Sequence, residues 1–222
     1  MTYELIPLKN LADQSAHLPD GATVSVTCSP AKTIDDTLDL CAGYAEKGFT
    51  VIPHFAARMV ESEDHVGRIV ERVNAIGIRK VFCIGGDADP RGPFTDAAGF
   101  LRSFLDRRPE IDVVGIGSYP DGHSTIPDQA LADALVEKQE LIREAGLEGY
   151  MATQMCFDAQ TIGTWLAGQR AAGVDLPCHL GVPGAVDRTK LLTISIRLGI
   201  GHSARYLKKN KIRIQNKNLI LK

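Results

Sequence analysis

The stretch VFCIGGD at residues 81–87 decides the fold, because it combines a buried strand, a glycine turn and an acid in seven letters. Other short apolar runs also end in a polar residue: residues 24–26 run into Thr27, and residues 51–53 run into His54. Amphipathic segments fill the gaps between the runs. This repetition predicts a parallel sheet with helices outside it.

The runs and the segments between them define predicted elements. We predict strands at residues 3–6, 22–27, 50–54, 79–84, 112–117, 149–154 and 177–182. We predict helices at residues 33–47, 63–75, 97–105, 128–145 and 158–172, and a short helix within 8–18. Glycine follows four of the helices, at positions 48, 77, 146 and 173, as helix stops do. The predicted fold class is α/β, a (β/α)₈ TIM-type barrel that is incomplete at its C-terminus, with seven strands visible. In such a barrel the functional groups collect at the carboxyl ends of the strands.

The end of the chain has a different composition from the rest. We assign residues 1–207 to a single barrel domain and residues 208–222 to an atypical basic tail outside the native barrel. The tail contains no Ala, Gly, Asp or Glu. Two interpretations stay open: a basic segment for an acidic partner, or a non-native or truncated terminus.

Composition narrows the class of protein. The 222 residues are 44% hydrophobic and 23% charged, as in an ordinary globular domain, and the net charge is −2. We therefore expect no nucleic-acid partner and no membrane partner. We expect no signal peptide, because the first residues show no basic segment followed by a long apolar run. The five widely spaced cysteines form no CxxC pair. Reduced thiols and a cytoplasmic location are expected.

Motifs at the predicted strand ends resemble the 5,10-methylenetetrahydrofolate reductase family, and are most similar to its divergent, shorter bacterial branch. They are YELIP at 3–7, VSVT at 24–27, PH at 53–54, GD at 86–87, YPDGH at 119–123 and TQMCFD at 153–158. The resemblance implies hydride reduction of methylenetetrahydrofolate to 5-methyltetrahydrofolate in one-carbon and methionine metabolism. It implies NADH or NADPH as the donor, usually through bound FAD.

The resemblance also assigns catalytic residues. Glu4 takes the position of a general acid, and a proton on a departing nitrogen is what ring opening of the folate requires. A carboxyl in a partly apolar barrel mouth can supply it near neutral pH. Asp87 is implied to orient the folate and to tune the flavin. Gly86 before it lets backbone approach a planar ligand closely.

Other residues match positions that line the family's flavin site. They are Thr27, His54, Tyr119, His123 and Arg143. The family commonly has Arg where this chain has Gly85, so we predict FAD binding that is weak or absent. If FAD is weakly bound or absent, direct reduction of the folate by NADH stays open as an alternative.

Folate contacts are implied at three further positions. Gln154 is expected to pair with the pterin edge, because an amide offers a donor and an acceptor together. Phe157 offers a stacking surface, and Arg188 is expected to meet the glutamate tail, with a surface charge as the alternative. We expect Asp158 to cap the next helix rather than to bind a ligand.

Two alternative functions remain. One is a metal-dependent barrel hydrolase that uses His54, Asp87 and His123 as ligands, although no HxH or HxxxH pair supports it. The other is a non-catalytic, truncated paralogue that binds folate. We expect no metal, and we leave a homo-oligomer open.

Overall fold

Parallel strands and α-helices alternate along the chain. The computed structural model describes residues 1–9, 11–29 and 31–184. The strands are β1 Thr2–Leu5, β2 Thr23–Val26, β3 Thr50–Ala56, β4 Lys80–Ile84, β5 Val113–Ser118, β6 Glu148–Thr153 and β7 Cys178–His179. The helices are α1 Leu11–Ser15, α2 Ile34–Glu46, α3 Glu63–Ile76, α4 Ala97–Asp106, α5 Asp128–Glu144 and α6 Ala159–Ala171, with a 3₁₀ turn at Ala57–Met59.

The strands form one sheet in the order β1-β2-β3-β4-β5-β6-β7. The pairs β1–β2, β2–β3, β3–β4, β4–β5 and β6–β7 are parallel. In their register, Glu4 lies beside Ser25 and His54 beside Phe82. A doubly wound sheet reverses its strand order partway, whereas this order follows the chain throughout. The predicted TIM-type class is therefore confirmed, with seven strands among the described residues. The boundary at residue 207 and the tail lie outside them.

Local capping explains why the helix boundaries could be predicted. Thr33 and Asp36 form a capping box at α2: the Thr33 Oγ1 accepts from the Asp36 N–H at 3.0 Å, and the Asp36 carboxylate accepts from the Thr33 N–H at 2.8 Å. The Asp158 carboxylate accepts from the Gln160 N–H at 3.0 Å, which confirms its role as the cap of α6. The glycines predicted to stop helices, such as Gly77 with φ of 77°, all have positive φ.

Two predicted elements differ in extent, and the short helix predicted within residues 8–18 is confirmed. β3 continues past His54 to Ala56, because Phe55 pairs with Cys83 and Ala56 with Ile84 on β4. The strand predicted at 177–182 is only Cys178–His179. Its later residues form a loop, in which the Gly181 N–H donates to the Thr153 side-chain hydroxyl at 3.0 Å. The first helix is limited to five residues.

The chain divides into two compact units. Unit 1 comprises residues 1–116 and 137–150, and unit 2 comprises residues 117–136 and, of the described residues, 151–184. In unit 1, Phe55 of β3 packs against Phe100 and Phe104 of α4, with ring centroids 5.8 and 5.6 Å apart. In unit 2, the Arg170 guanidinium donates to the carbonyls of Val174 and Leu176 and so shapes the turn into β7. All five cysteines are free thiols.

Candidate functional site

Glu4 occupies the inner side of β1 in unit 1, beside Ser25 of β2. Its side chain is exposed, yet the surrounding protein atoms displace enough water to raise the pKa of the carboxyl by desolvation. A group that lines a concave surface shows both properties, because a water molecule can reach it while little bulk solvent surrounds it. The raised pKa favours the protonated form of the carboxyl more than in water.

The ends of β1 and β2 are tied together by Thr27. Its N–H donates to the Leu5 carbonyl at 3.0 Å, and its Oγ1 donates to the same oxygen at 3.3 Å. The hydroxyl proton is thereby committed to the backbone, and the oxygen lone pairs are what Thr27 can offer to a ligand.

His54 of β3 is buried, with 7% of its surface exposed. Its ring packs on that of Phe82 of β4, with centroids 4.6 Å apart. Burial lowers the pKa of the imidazole to about 4, so His54 is neutral at pH 7. Its backbone carbonyl accepts from the Cys28 thiol at 2.8 Å, which fixes the end of β2 against β3.

A glycine turn follows β4, as predicted. Gly86 has φ of 88°, and a Cβ there would lie 3.0 Å from the Cβ of Ala56, so the position requires glycine. Gly85 differs, because a Cβ there would have open space within 4 Å. The turn presents Asp87 as an exposed residue at the carboxyl end of β4.

Two aromatic residues that the sequence did not single out complete the inner face of unit 1. Phe82 and Tyr150 lie with ring centroids 6.0 Å apart, and both pack over Gly115, where any Cβ would overlap the two rings. Burial raises the pKa of the Tyr150 phenol to about 12. A glycine inside an otherwise β-branched strand was the available signal.

In unit 2, the segment after β5 forms a tight turn. The Gly122 N–H donates to the Tyr119 carbonyl at 3.0 Å, and the rings of Tyr119 and His123 meet edge to face at 5.3 Å. The His123 Nδ1 accepts from the Thr125 N–H at 3.3 Å. The turn therefore brings the two predicted side chains of this segment into contact.

The segment after β6 in unit 2 lies against that turn. The Gln154 N–H donates to the Ser118 carbonyl at 2.7 Å, and its Oε1 accepts from the Met155 N–H at 2.9 Å. Beyond it, the Cys156 thiol donates to the Asp121 carboxylate at 3.2 Å. Phe157 is half-buried in the same segment. Unit 2 thus brings together the predicted residues of the two segments.

The two predicted arginines are not part of these groups. Arg143 lies in the last turn of α5, exposed, in an ion pair with Glu140. That end of α5 leads to Glu148, whose N–H donates to the Asp112 carbonyl just before β5. Because a helix of a βα unit runs antiparallel to its strands, Arg143 is placed at their amino ends. Arg188 lies outside the described residues.

The residues fit a planar ring better than they fit the whole of FAD. The glycine turn admits a flat group against backbone. Fixed cations strengthen the binding of a diphosphate. At three positions compared with the flavin site, Gly85 has no side chain, His54 is neutral and Arg143 lies at the strands' amino ends. We therefore derive no chemical step through a flavin.

The described part of the chain contains neither a cluster that could hold a metal ion nor a helix that could span a membrane. Within residues 1–9, 11–29 and 31–184, no group of three His, Cys, Asp or Glu side chains is placed to hold a metal ion. The hydrolase alternative therefore gains nothing from the geometry. None of the described helices is long and apolar enough to span a bilayer.

Parallel βα repetition in chain order, with polar groups at the carboxyl ends of the strands, defines the class: an α/β protein of the TIM-barrel type. The family model for methylenetetrahydrofolate reductase matches residues 7–188, and the chain belongs to this family of folate-related oxidoreductases. Glu4 precedes the matched segment, so the match does not test its predicted role.

Two proteins that are similar to this chain share only a small fraction of its residues. Methylenetetrahydrofolate reductase 1 of Schizosaccharomyces pombe is 23% identical over 128 residues, which cover 54% of this chain and 21% of the yeast protein. The alignment thus spans about a fifth of that relative. A solved structure from Burkholderia cenocepacia J2315, provisionally named a lyase/mutase, is 15% identical with a TM-score of 0.53 and covers 94% of this chain and 89% of its own. This likeness shows the fold alone.

Proposed function

We propose that this protein reduces 5,10-methylenetetrahydrofolate to 5-methyltetrahydrofolate with a hydride from NADH or NADPH. The observation that carries the proposal is the carboxyl of Glu4, whose pKa is raised by desolvation on the inner side of β1. Membership of the family supports the substrate class.

Glu4 acts as the general acid. Its proton goes to N10 of the folate as the bond between N10 and the methylene carbon breaks, which leaves an iminium at N5. The hydride then adds to the methylene carbon and gives the methyl group, while the nicotinamide is oxidised. Water returns a proton to Glu4. The direction of the pKa shift favours the acid form of Glu4. General acid catalysis of this kind is worth about 10² to 10⁴ in rate.

The other residues of unit 1 bind and orient. Thr27 offers oxygen lone pairs, and neutral His54 offers an uncharged ring rather than a cation. An uncharged ring suits a positively charged iminium or oxidised nicotinamide, because it adds no repulsion. Asp87, presented by the glycine turn, accepts hydrogen bonds from the donor groups of the pterin and attracts developing positive charge.

Unit 2 supplies folate-binding groups of its own. The Gln154 Oε1 is engaged by the Met155 N–H, so its amide NH₂ is the group that can donate to a pterin acceptor. Phe157 and the Tyr119–His123 pair offer aromatic surface.

The nicotinamide is proposed to deliver its hydride directly. The absence of a fixed cation at Gly85 and His54 disfavours tight FAD binding. A nicotinamide dinucleotide that binds as a substrate and dissociates after each turnover does not need to be bound as tightly. The same observation favours a second candidate, a folate-binding protein without turnover.

Purified protein mixed with methylenetetrahydrofolate and NADH tests the proposal. We expect loss of NADH absorbance together with 5-methyltetrahydrofolate identified by mass spectrometry, both slowed by about 10² to 10⁴ in Glu4→Gln. Binding of 5-methyltetrahydrofolate measured by calorimetry separates the candidates. Binding without turnover in the parent would support the folate-binding protein, and no binding would reject both.

A further inference from the structure

Two strand-end segments of unit 2 are joined by a thiol–carboxylate hydrogen bond. The first, Tyr119–His123, follows β5, and the second, Gln154–Asp158, follows β6. The Cys156 Sγ donates to the Asp121 Oδ1 at 3.2 Å. At the base of the two segments the Gln154 N–H donates to the Ser118 carbonyl at 2.7 Å. The segments are therefore held at two points, one made by backbone and one by side chains.

We call the Cys156–Asp121 hydrogen bond the side-chain tie; each of its two partners is held in place by its own segment. Cys156 is buried, with 8% of its surface exposed, and its sulfur also lies 3.8 Å from the Asp158 carbonyl. Asp121 sits inside the turn closed by the Gly122 N–H and the Tyr119 carbonyl, and Gly122 has φ of 75°. Both partners are thus anchored by their own segment. A hydrogen bond to an ionised acceptor is also stronger than a neutral one.

We propose that Cys156 is a positioning residue, which holds the two strand-end segments of unit 2 in register for folate. Cys156 lies between Gln154 and Phe157 in the chain, and Asp121 lies between Tyr119 and His123. Fixing the thiol against the carboxylate therefore fixes one pair of ligand-binding side chains against the other. The inference rests on the proposed function for its ligand, whereas the tie itself can be measured without one.

Five variants test the hydrogen bond between Cys156 and Asp121. Cys156→Ala removes the donor, Cys156→Ser keeps a hydroxyl donor, and Asp121→Ala removes the acceptor. Cys178→Ala is the matched control, because it removes another thiol of unit 2 that has no hydrogen bond among the described contacts. The double variant Cys156→Ala/Asp121→Ala completes a mutant cycle.

The first readout is hydrogen exchange of the amides in residues 119–123 and 154–157, in the protein without ligand. We expect faster exchange in Cys156→Ala and Asp121→Ala, and exchange close to the parent rate in Cys156→Ser and Cys178→Ala. The second readout is the affinity for 5-methyltetrahydrofolate by calorimetry. We expect about 3- to 10-fold weaker binding in Cys156→Ala, the size of one lost hydrogen bond. The double variant should be no weaker than the worse single variant.

Either readout can overturn the proposal. Parent-like exchange in Cys156→Ala shows that the tie holds nothing. Serine as defective as alanine, with an equal loss of thermal stability, shows that the sulfur only fills space. If the parent binds no folate, the proposed function fails. The exchange data then still decide whether the tie positions the two segments.

Discussion

The imidazole of His54 packs against the phenyl ring of Phe82, with ring centroids 4.6 Å apart and planes inclined by 35°. The contact follows directly from strand register, because the two residues are paired across β3 and β4. Burial removes the water that would solvate a charged imidazole, so protonation of His54 is disfavoured. The pair thus turns the residue type that usually senses pH into a neutral one.

We predict that His54 makes the protein sensitive to acid. Its pKa falls from the ordinary 6.5 to about 4 on folding, so its stabilising effect is complete above 6.5 and is lost as pH falls toward 4. At pH 5 the parent should have lost about 2 kcal/mol of unfolding free energy relative to pH 7 through this group. Urea denaturation at the two pH values, compared with His54→Phe, measures the difference. An equal acid loss in the variant would contradict the prediction.

Glu4→Gln should separate activity from stability. We expect methylenetetrahydrofolate reduction to fall by about 10² to 10⁴, with 5-methyltetrahydrofolate affinity largely retained. Because folding raises the pKa of Glu4, the native state holds the proton more tightly, and this stabilisation is lost as pH rises through the raised pKa. The variant should therefore melt at a higher temperature than the parent at pH 8 and converge with it in acid. A loss in turnover of less than a few-fold would sink the assignment.

Asp87→Ala should weaken folate binding and slow hydride transfer together, each by about tenfold, since one hydrogen bond to an ionised group is lost. Single-turnover kinetics and calorimetry report the two quantities separately. Asp89→Ala, a change at another exposed acid of the same loop, is the control. Equal behaviour of the two variants would make Asp87 an ordinary turn residue.

Gly85→Arg should strengthen flavin binding. The position has open space for a side chain and no positive φ, so the longer residue can be accommodated. We expect the parent to leave gel filtration without stoichiometric FAD, and the variant to bind FAD about tenfold more tightly through an added ion pair with phosphate. Gly85→Gln is a control of similar length without the charge. A yellow, stoichiometric parent protein would refute the premise.

Gly115→Ala should destabilise unit 1, because its methyl group would overlap the rings of Phe82 and Tyr150. Overpacking of this kind costs about 1–3 kcal/mol in unfolding free energy. Gly43→Ala, in α2 with open space around it, should instead be neutral or stabilise by up to about 1 kcal/mol. Adding Tyr150→Leu to Gly115→Ala should recover part of the loss. If Gly115→Ala alone were as stable as the parent, the inner face would be looser than described.

Features encoded by neighbouring residues could be predicted, and contacts made through the sheet could not. The cap at Asp158 and the stop at Gly77 depend on residues within one turn, and both helix ends were predicted. The packing of Tyr150 over Gly115 depends on strand register. The Cys156–Asp121 bond joins residues 35 apart in the chain, and no local pattern announces it.

The position of Arg143 illustrates a second limit. Family resemblance suggested a basic residue for a diphosphate, and the helix around it was predicted correctly. Only the direction of that helix shows that its last turn leads back to the amino ends of the strands. A residue can therefore match a motif in order along the chain and still be placed at the other end of the sheet.

The strand order also affects how the protein can fold while it is being synthesised. Neighbours in the sheet are neighbours in the chain from β1 to β7. Within the described residues, each strand after β1 therefore finds one neighbour already synthesised when it leaves the ribosome. The most recently added strand forms the edge of the sheet to which the next strand pairs. We expect assembly to proceed vectorially, and Glu4 to belong to the template on which every later strand is added.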